Sequence, residues 1–248
     1  MNRIFRALDV FLGLTLVSAL GMGLFTALPG SAQAATESSA TQTERRSLAE
    51  FEAISVAGSF EVRVRQAPQA GVEVRAPANL LPLIETVIDG DKHLLIRWKP
   101  GTSFFNSPRV VIEVSTPRLL SLASSGPSNI RLDGLTSPQL AASISGSGDM
   151  QLLGLACDEL KLRIAGSGDI TASGRATKTS LSIAGSGNVR SEQLKADDVR
   201  ISIAGSGDAS VHADKTLSIS IAGSGDVSYS GNAEVKTSKA GSGSVRKR

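Results

Sequence analysis

The sequence predicts an all-β fold, a parallel β-helix with coils of about 18–20 residues and a β-rich N-terminal portion holding one short helix. The first observation behind this is a repeat. Gly-Ser-Gly recurs with its first glycine at 146, 166, 185, 205, 223 and 241, so successive spacings are 20, 19, 20, 18 and 18 residues. A degenerate copy, "SSGPSNI", puts Gly126 another 20 residues upstream, and "VAGSFEV" at 56–62 reads as an older relic. The second observation is parity. Leu217, Ile219, Ile221, Gly223, Gly225, Val227 and Tyr229 share one phase, as do Leu160, Leu162, Ile164, Gly166, Gly168, Ile170 and Ala172. Alternate residues of a strand face one side, so the apolar phase runs through the glycines without a reset. The pairs Gly146/Gly148, Gly166/Gly168, Gly185/Gly187, Gly205/Gly207 and Gly223/Gly225 are therefore expected on the inside of a bend. There a β-carbon would strike the neighbouring wall and backbone freedom is wanted.

Each segment has its own reading, taken in chain order. Met1–Arg6 is short and basic, residues 7–28 are almost wholly apolar, and Ala32-x-Ala34 supplies the small residues of a cleavage site. This predicts a secretory signal peptide over 1–34; an uncleaved anchor is the alternative, since the run approaches spanning length. Residues 35–47 are polar and aperiodic, and are expected to form a flexible leader. A single domain is expected over 48–248, with regular glycine-corner repeats in 123–245. Its first half alternates as strands do in "FEVRVRQ", "GVEVRA", "HLLIRW" and "RVVIEV". Between them "ANLLPLIETVIDG" breaks the alternation and predicts one short helix from about Leu80 to Val87, with Pro82 in its first turn. The final copy, "VKTSKAGSGSVRKR", has Thr237 and Lys239 at inward positions, as suits a polar coil that blunts an open edge.

Composition excludes several functions. Taking Arg3, Arg6 and Asp9 from the 26 basic and 23 acidic residues leaves 24 and 22. That balance, with one Trp and one Tyr, gives no footprint for nucleic acid. Cys157 is the only cysteine, so no internal disulfide is possible, and without flanking cations it reads as a buried, inert thiol. No lysine follows the glycines as a phosphate loop needs, and "AGSG" lacks the glycine two before the serine of a nucleophile elbow. His93 and His212 are the only histidines; His212 lies near Asp214, an arrangement read as surface rather than catalytic.

The outward corner position reads Asp149, Asp169, Asn188, Asp208, Asp226 and Ser244 along the repeats. Stacked carboxylates about 4.8 Å apart repel by ~1 kcal/mol in water. One resolution has each side chain accept backbone N–H groups at its own corner. The alternative is calcium bridging the Asp149/Asp169 and Asp208/Asp226 pairs, although the spacing matches calcium-binding β-rolls poorly. No metal or other cofactor is expected.

The opening "FEAISVAGSFEVRVRQAPQAGVEVRAPANLLPLIETVIDGDKHLLIRW", followed by "ISGSGDM", "IAGSGDI" and "IAGSGDV", resembles the putative auto-transporter adhesin head GIN domain family over roughly 48–245. The resemblance implies a right-handed parallel β-helix, akin in outline to pectate-lyase-like folds but without their catalytic residues. It also implies an adhesion or envelope role, and brings no catalytic residue to carry over. The function expected is a non-catalytic exported domain, periplasmic or at the cell surface, binding an envelope protein or glycan. A structural or regulatory envelope module, or a polysaccharide-active β-helix enzyme, are the alternatives. Membrane contact is expected only through an uncleaved signal peptide. Two candidate binding regions stand out: the column Asp149, Asp169, Asn188, Asp208 and Asp226, and the irregular loop "KPGTSFFNSP", with Phe104 and Phe105 adjacent.

Overall fold

The computed structural model describes residues 40–102 and 109–248. The expected signal peptide, and the loop residues Phe104 and Phe105, lie outside the described residues. All of the described residues belong to one compact unit, Ser38–Arg248. None of its helices is long and apolar enough to cross a membrane.

The N-terminal portion contributes β1 (Thr41–Arg46), β2 (Ala53–Ala57), β3 (Glu61–Gln66), β4 (Gly71–Pro77), β5 (Ile84–Asp89), β6 (His93–Trp98), β7 (Val111–Thr116) and β8 (Ser121–Ser125). Two expectations are corrected here. Residues 41–46 of the expected leader form strand β1, antiparallel to β4. Arg46 fixes it: its guanidinium donates to the carbonyls of Ile84 (2.7 Å) and Leu81 (3.0 Å) and to Thr86 Oγ1 (3.0 Å), strapping β1 across the end of the core. The short helix is also absent from 80–87. A single 3-10 turn, Leu81–Leu83, carries Pro82, and the chain then enters β5, antiparallel to β6. The β-branched Ile84, Thr86, Val87 and Ile88 favour a pleated partner over a helical turn.

The remainder is the solenoid: β9 (Asn129–Gly146), β10 (Met150–Gly166), β11 (Ile170–Gly185), β12 (Val189–Gly205) and β13 (Ala209–Gly223), each one coil, parallel and in chain order. A last coil is made by β14 (Val227–Ser230), β15 (Glu234–Ala240) and β16 (Val245–Lys247). Register stacks like on like. Ile144, Ile164, Ile183, Ile203 and Ile221 form one buried column; Ala142, Leu162, Leu181, Ile201 and Ile219 form the next. As expected, Thr237 and Lys239 close these columns at the last coil, opposite Ile219 and Ile221. Within β10 the buried set is Met150, Leu152, Leu155, Cys157, Leu160, Leu162 and Ile164. Alternation slips after Leu152 and again after Cys157, and β9 and β12 slip likewise, so these coils bend at two further places besides Gly-Ser-Gly. The unequal coil lengths are absorbed at these bends, where register shifts occur between Leu152/Leu155, Thr171/Ser173 and Ser191/Lys195.

The glycine corner is as predicted in kind, but two parts of the expectation are corrected. The first concerns direction, because the obstacle lies along the solenoid axis. Gly223 is half-buried, with φ of +139°, and a β-carbon there would sit on the Gly205 carbonyl of the preceding coil. That carbonyl accepts the Ser224 N–H at 2.9 Å. The first glycines, Gly146, Gly166, Gly185, Gly205 and Gly223, thus admit axial contact between corners rather than clear a wall inside the coil. The second correction concerns the other member of each pair. Gly148, Gly168, Gly187, Gly207 and Gly225 are buried and inward, as expected, but none has a positive φ, so backbone freedom is not what they supply. Bareness is. A β-carbon on Gly148 would strike the Ser128 carbonyl, one on Gly187 the Gly168 carbonyl, and one on Gly225 the Gly207 carbonyl. At Gly187 and Gly225 it would also crowd the inner wall, at Ile164 Cγ2 (2.8 Å) and Ile203 Cγ2 (3.0 Å). The axial column of first glycines reaches back through Gly126 to Gly58, which makes "VAGSF" a true corner.

Coil order departs from chain order in the N-terminal portion. Strand β2 lies between β6 and β8, and β3 between β7 and β9. The coil at residues 53–66 is therefore held between two coils made by later residues. Ser128 stands where the repeats have their second glycine; wholly buried, it donates to the Gly58 carbonyl (2.8 Å) and accepts the Phe60 N–H (3.2 Å). Phe60 in turn stacks on Trp98 at 4.9 Å between ring centroids.

Candidate functional site

One side of the solenoid carries two polar columns, two residues apart along each strand and so facing the same way. The first contains all five residues singled out from sequence, Asp149, Asp169, Asn188, Asp208 and Asp226, followed by Ser244. It also extends upstream, since Asn129 precedes the registered pair Ile130/Met150 and Glu61 stands opposite Asn129. This extension was hidden in the sequence because the N-terminal coils lack the glycine repeat that marks the position. The second column runs Arg63, Arg131, Gln151, Thr171, Arg190, Ser210, Ser228 and Arg246.

The first column is a hydrogen-bonded ladder. Asp149 Oδ1 accepts the Asp169 N–H (3.3 Å), Asp169 Oδ1 the Asn188 N–H (3.0 Å), and Asn188 Oδ1 the Asp208 N–H (3.0 Å). Asp208 Oδ1 accepts the Asp226 N–H (2.8 Å), and Asp226 Oδ1 accepts both the N–H and the hydroxyl of Ser244 (2.8 Å each). Each carboxylate thus caps the corner of the next coil, not its own corner as the sequence suggested. The donors explain how stacked acids are tolerated. Partial burial pushes the Asp169 carboxyl up, but Arg190 (2.9 Å) and the two Asn188 donors together hold it below the usual carboxylate range. The Ser244 hydroxyl and N–H do the same for Asp226.

The two columns wall a trough. Near the N-terminal end Glu61, Arg63, Asn129, Arg131, Asp149 and Gln151 line a groove of about 560 Å³. Near the other end Asp208, Ser210, Asp226, Ser228, Ser244 and Arg246 line one of about 120 Å³. Opposite charges bridge the walls. Arg63 reaches Glu61 at 2.6 Å and, with Arg109 beside it, holds that carboxyl below its ordinary range. Arg131 is shared between Asp133 (2.7 Å) and Gln151 (3.1 Å). The surface offers planar amides, guanidinium–carboxylate pairs and hydroxyls, with little net charge.

The profile of the "putative auto-transporter adhesin, head GIN domain" family matches residues 50–233. The chain belongs to this family. No curated protein matches the chain. Among solved structures, a putative adhesin from Bacteroides fragilis is similar with a TM-score of 0.81 at 24% identity, covering 85% of this chain and 98% of that one. A protein described as a putative lipid binding protein, from Parabacteroides distasonis, gives 0.69 at 24% identity over 84% and 96%. A putative adhesin from Parabacteroides merdae gives 0.65 at 22% identity over 84% and 96%. These likenesses establish the fold.

His212 meets the nearby Asp214, and both histidines of this GIN domain also contact serines that the sequence did not reveal. His93 joins Asp89 Oδ2 through Nδ1 (2.9 Å) and Ser55 Oγ through Nε2 (2.7 Å). His212 joins Ser230 Oγ through Nδ1 (2.9 Å) and Asp214 Oδ1 through Nε2 (3.0 Å). Only the parallel register brings these serines near, 38 and 18 residues away in the chain. Each array has the composition of an acyl-transfer triad, but such a triad also needs free N–H donors for an oxyanion. Strand β2, which carries Ser55, is paired on both edges, so its N–H groups are already engaged. Cys157 is buried, as expected; burial, then the Asp158 carboxylate, pushes its thiol up and away from reactivity.

Proposed function

We propose that this protein is an exported, non-catalytic, adhesion-like binding module whose ligand lies in the polar trough between the two columns. The ligand is an envelope glycan or protein. The single observation that carries the reading is the alignment of these columns over successive coils with a groove near each end. A rigid wall presents polar side chains, varied in kind, at about 4.8 Å intervals, which suits an extended ligand. Family membership supports the adhesion-like role. Engagement of the β2 N–H groups around Ser55 argues against acyl transfer at that serine. The interior is filled by the Ile, Leu and Val columns, so an apolar ligand would be met only from outside.

Screening on a glycan array, with a pull-down from envelope extract alongside, tests the proposal. Replacing Arg131 and Gln151 with Ala should cut binding at least tenfold while the melting temperature holds within a few degrees, because both side chains are outward. Undiminished binding by that variant would move the site off the trough.

A further inference from the structure

The ladder of corner side chains lacks one rung, and the gap lies in the larger groove. The corner N–H groups of Asp169, Asn188, Asp208, Asp226 and Ser244 are each accepted by a side-chain oxygen one coil earlier. Asp149 opens the series, and its own N–H has no acceptor among the described residues. Asn129 holds the preceding position in the column and does not reach it. At that corner Ser128 replaces glycine, and the Asn129 N–H goes to the Phe60 carbonyl (2.9 Å). Asn129 is thereby drawn into β9 as its first residue, whereas β10 to β13 each begin one residue after the ladder position.

Other groups around this gap are also uncommitted among the described residues. Asp149 spends Oδ1 on the Asp169 N–H and leaves Oδ2 over, and the Asn129 amide makes no side-chain hydrogen bond. Gln151 is oriented by Arg131, which donates to its Oε1 at 3.1 Å. A guanidinium only donates, so Nε2 is turned away from Arg131 as a spare donor. The charges lining the same groove are, by contrast, largely matched. Glu61 accepts from Arg63 (2.6 Å) and Arg109 (3.4 Å), and Asp133 accepts from Arg131 (2.7 Å). The groove of about 560 Å³ thus holds a spare donor, a spare acceptor and a second spare donor, all on Asp149 and Gln151, with the Asn129 amide opposite. That volume lies in the ordinary range of small-ligand sites.

We propose that an uncharged sugar of a glycan fills this gap, with one of its oxygens accepting the Asp149 N–H as the missing rung. This inference rests on the trough reading above and names the ligand class and the anchoring residues. A hydroxyl both accepts and donates. One hydroxyl accepts from the Asp149 N–H or Gln151 Nε2, and its neighbour on the sugar ring donates to Asp149 Oδ2. A ligand of either charge would have to compete with ion pairs already formed in the groove. A peptide finds none of its usual holds here. Strands β3, β9 and β10 are paired on both edges, so no strand can be added. No aromatic side chain lines the groove, and Val62 and Ile130 are buried beneath it.

Amide hydrogen exchange on the free protein gives the first test. The Asp149 amide should exchange faster than the hydrogen-bonded amides of Asp169, Asn188, Asp208 and Asp226, and a protected Asp149 overturns the proposal. The second test titrates the full chain with neutral hexose and N-acetylhexosamine oligosaccharides, with uronic-acid oligosaccharides and mixed-sequence peptides alongside. Neutral sugars should bind with little salt dependence and slow exchange at Asp149. Asp149→Asn keeps the oxygen that caps Asp169 and exchanges only Oδ2 for a donor; Gln151→Glu keeps the bond to Arg131 and exchanges Nε2 for an acceptor. Each should weaken binding about tenfold at unchanged melting temperature, and Asp208→Asn, at the other groove, should not. If replacing Arg131 and Gln151 with Ala cuts binding while Asp149→Asn does not, the trough stands and the missing-rung site falls. If neither change weakens binding, both readings fall. Binding of only charged oligosaccharides or only peptides, or no binding by any neutral sugar, also overturns the proposal.

Discussion

The coils at 129–230 and those at 53–125 share one corner and obey different rules of assembly. In the first region each coil rests on the coil just before it in the chain, so every contact closes a loop of 18 to 20 residues. In the second, β2 and β3 are enclosed by β6–β9, and the coil at 53–66 is complete only after the chain has returned twice. The axial glycine is common to both, at Gly58, Gly126 and throughout the repeats. The second position is not: Phe60 and Ser128 replace glycine there, and a buried hydroxyl and an aromatic stack take over the join. Identical coils need bare backbone at the corner because carbonyl and N–H meet directly. Unlike coils are joined by side chains.

The largest effect should separate the two regions. Gly223→Val places its β-carbon on the Gly205 carbonyl and is expected to cost more than about 4 kcal/mol, leaving little folded protein in a urea titration. Gly126→Ala meets the Gly58 carbonyl at 3.0 Å and should be milder, while Gly90→Ala, with open space around it, should stay within about 0.5 kcal/mol of the parent. Equal tolerance at Gly223 and Gly90 would end the axial-corner account. Next, Arg46→Ala removes three hydrogen bonds to a strap specific to the N-terminal end. A loss of about 2 kcal/mol is expected, with faster hydrogen exchange confined to 81–89.

A smaller change of opposite sign should come from the repeat core. Thr179 is buried in the column of Leu160 and Val199, and its hydroxyl has no hydrogen-bond partner among the described residues. Thr179→Val should therefore raise stability by about 1 kcal/mol, read as a shift of the urea midpoint. Acid should act on the ladder. Asp169 and Asp226 have lowered carboxyl pKa values, so their contribution is present above the unfolded value of about 3.9 and fades as pH falls through the folded values. Asp169→Asn should therefore lower stability at pH 7, change it little in acid below the folded value, and so flatten the acid dependence. Smallest of all is the expected response to millimolar calcium: no shift in melting temperature, because the ladder already supplies donors between successive acids. A clear rise would restore the cation reading of the Asp149/Asp169 and Asp208/Asp226 pairs.

Much of the repeat half was legible because its periodicity is local. Ile219 and Ile221 alternate about a glycine bend, and the near-constant interval puts them on Ile201 and Ile203 with no further information. The short helix failed for a reason that is also physical. "LLPLIETVID" fits a turn beginning at Pro82, and only the presence of β6 alongside makes the extended form of Ile84–Asp89 the better one. The expected leader failed likewise, since nothing in "TQTERR" announces that Arg46 will find carbonyls 35 and 38 residues away.

The site divides along the same line. Sequence alone determined that Asp149, Asp169, Asn188, Asp208 and Asp226 form an outward column, because parity and period are properties of the chain read along itself. Tertiary structure alone decided that each carboxylate serves the following coil, that Glu61 and Asn129 belong to the column, and that both histidines lie beside serines. Those facts depend on which strand lies next to which. Across the enclosed N-terminal coils that choice is made by the packing of distant segments, and no short stretch of sequence contains it.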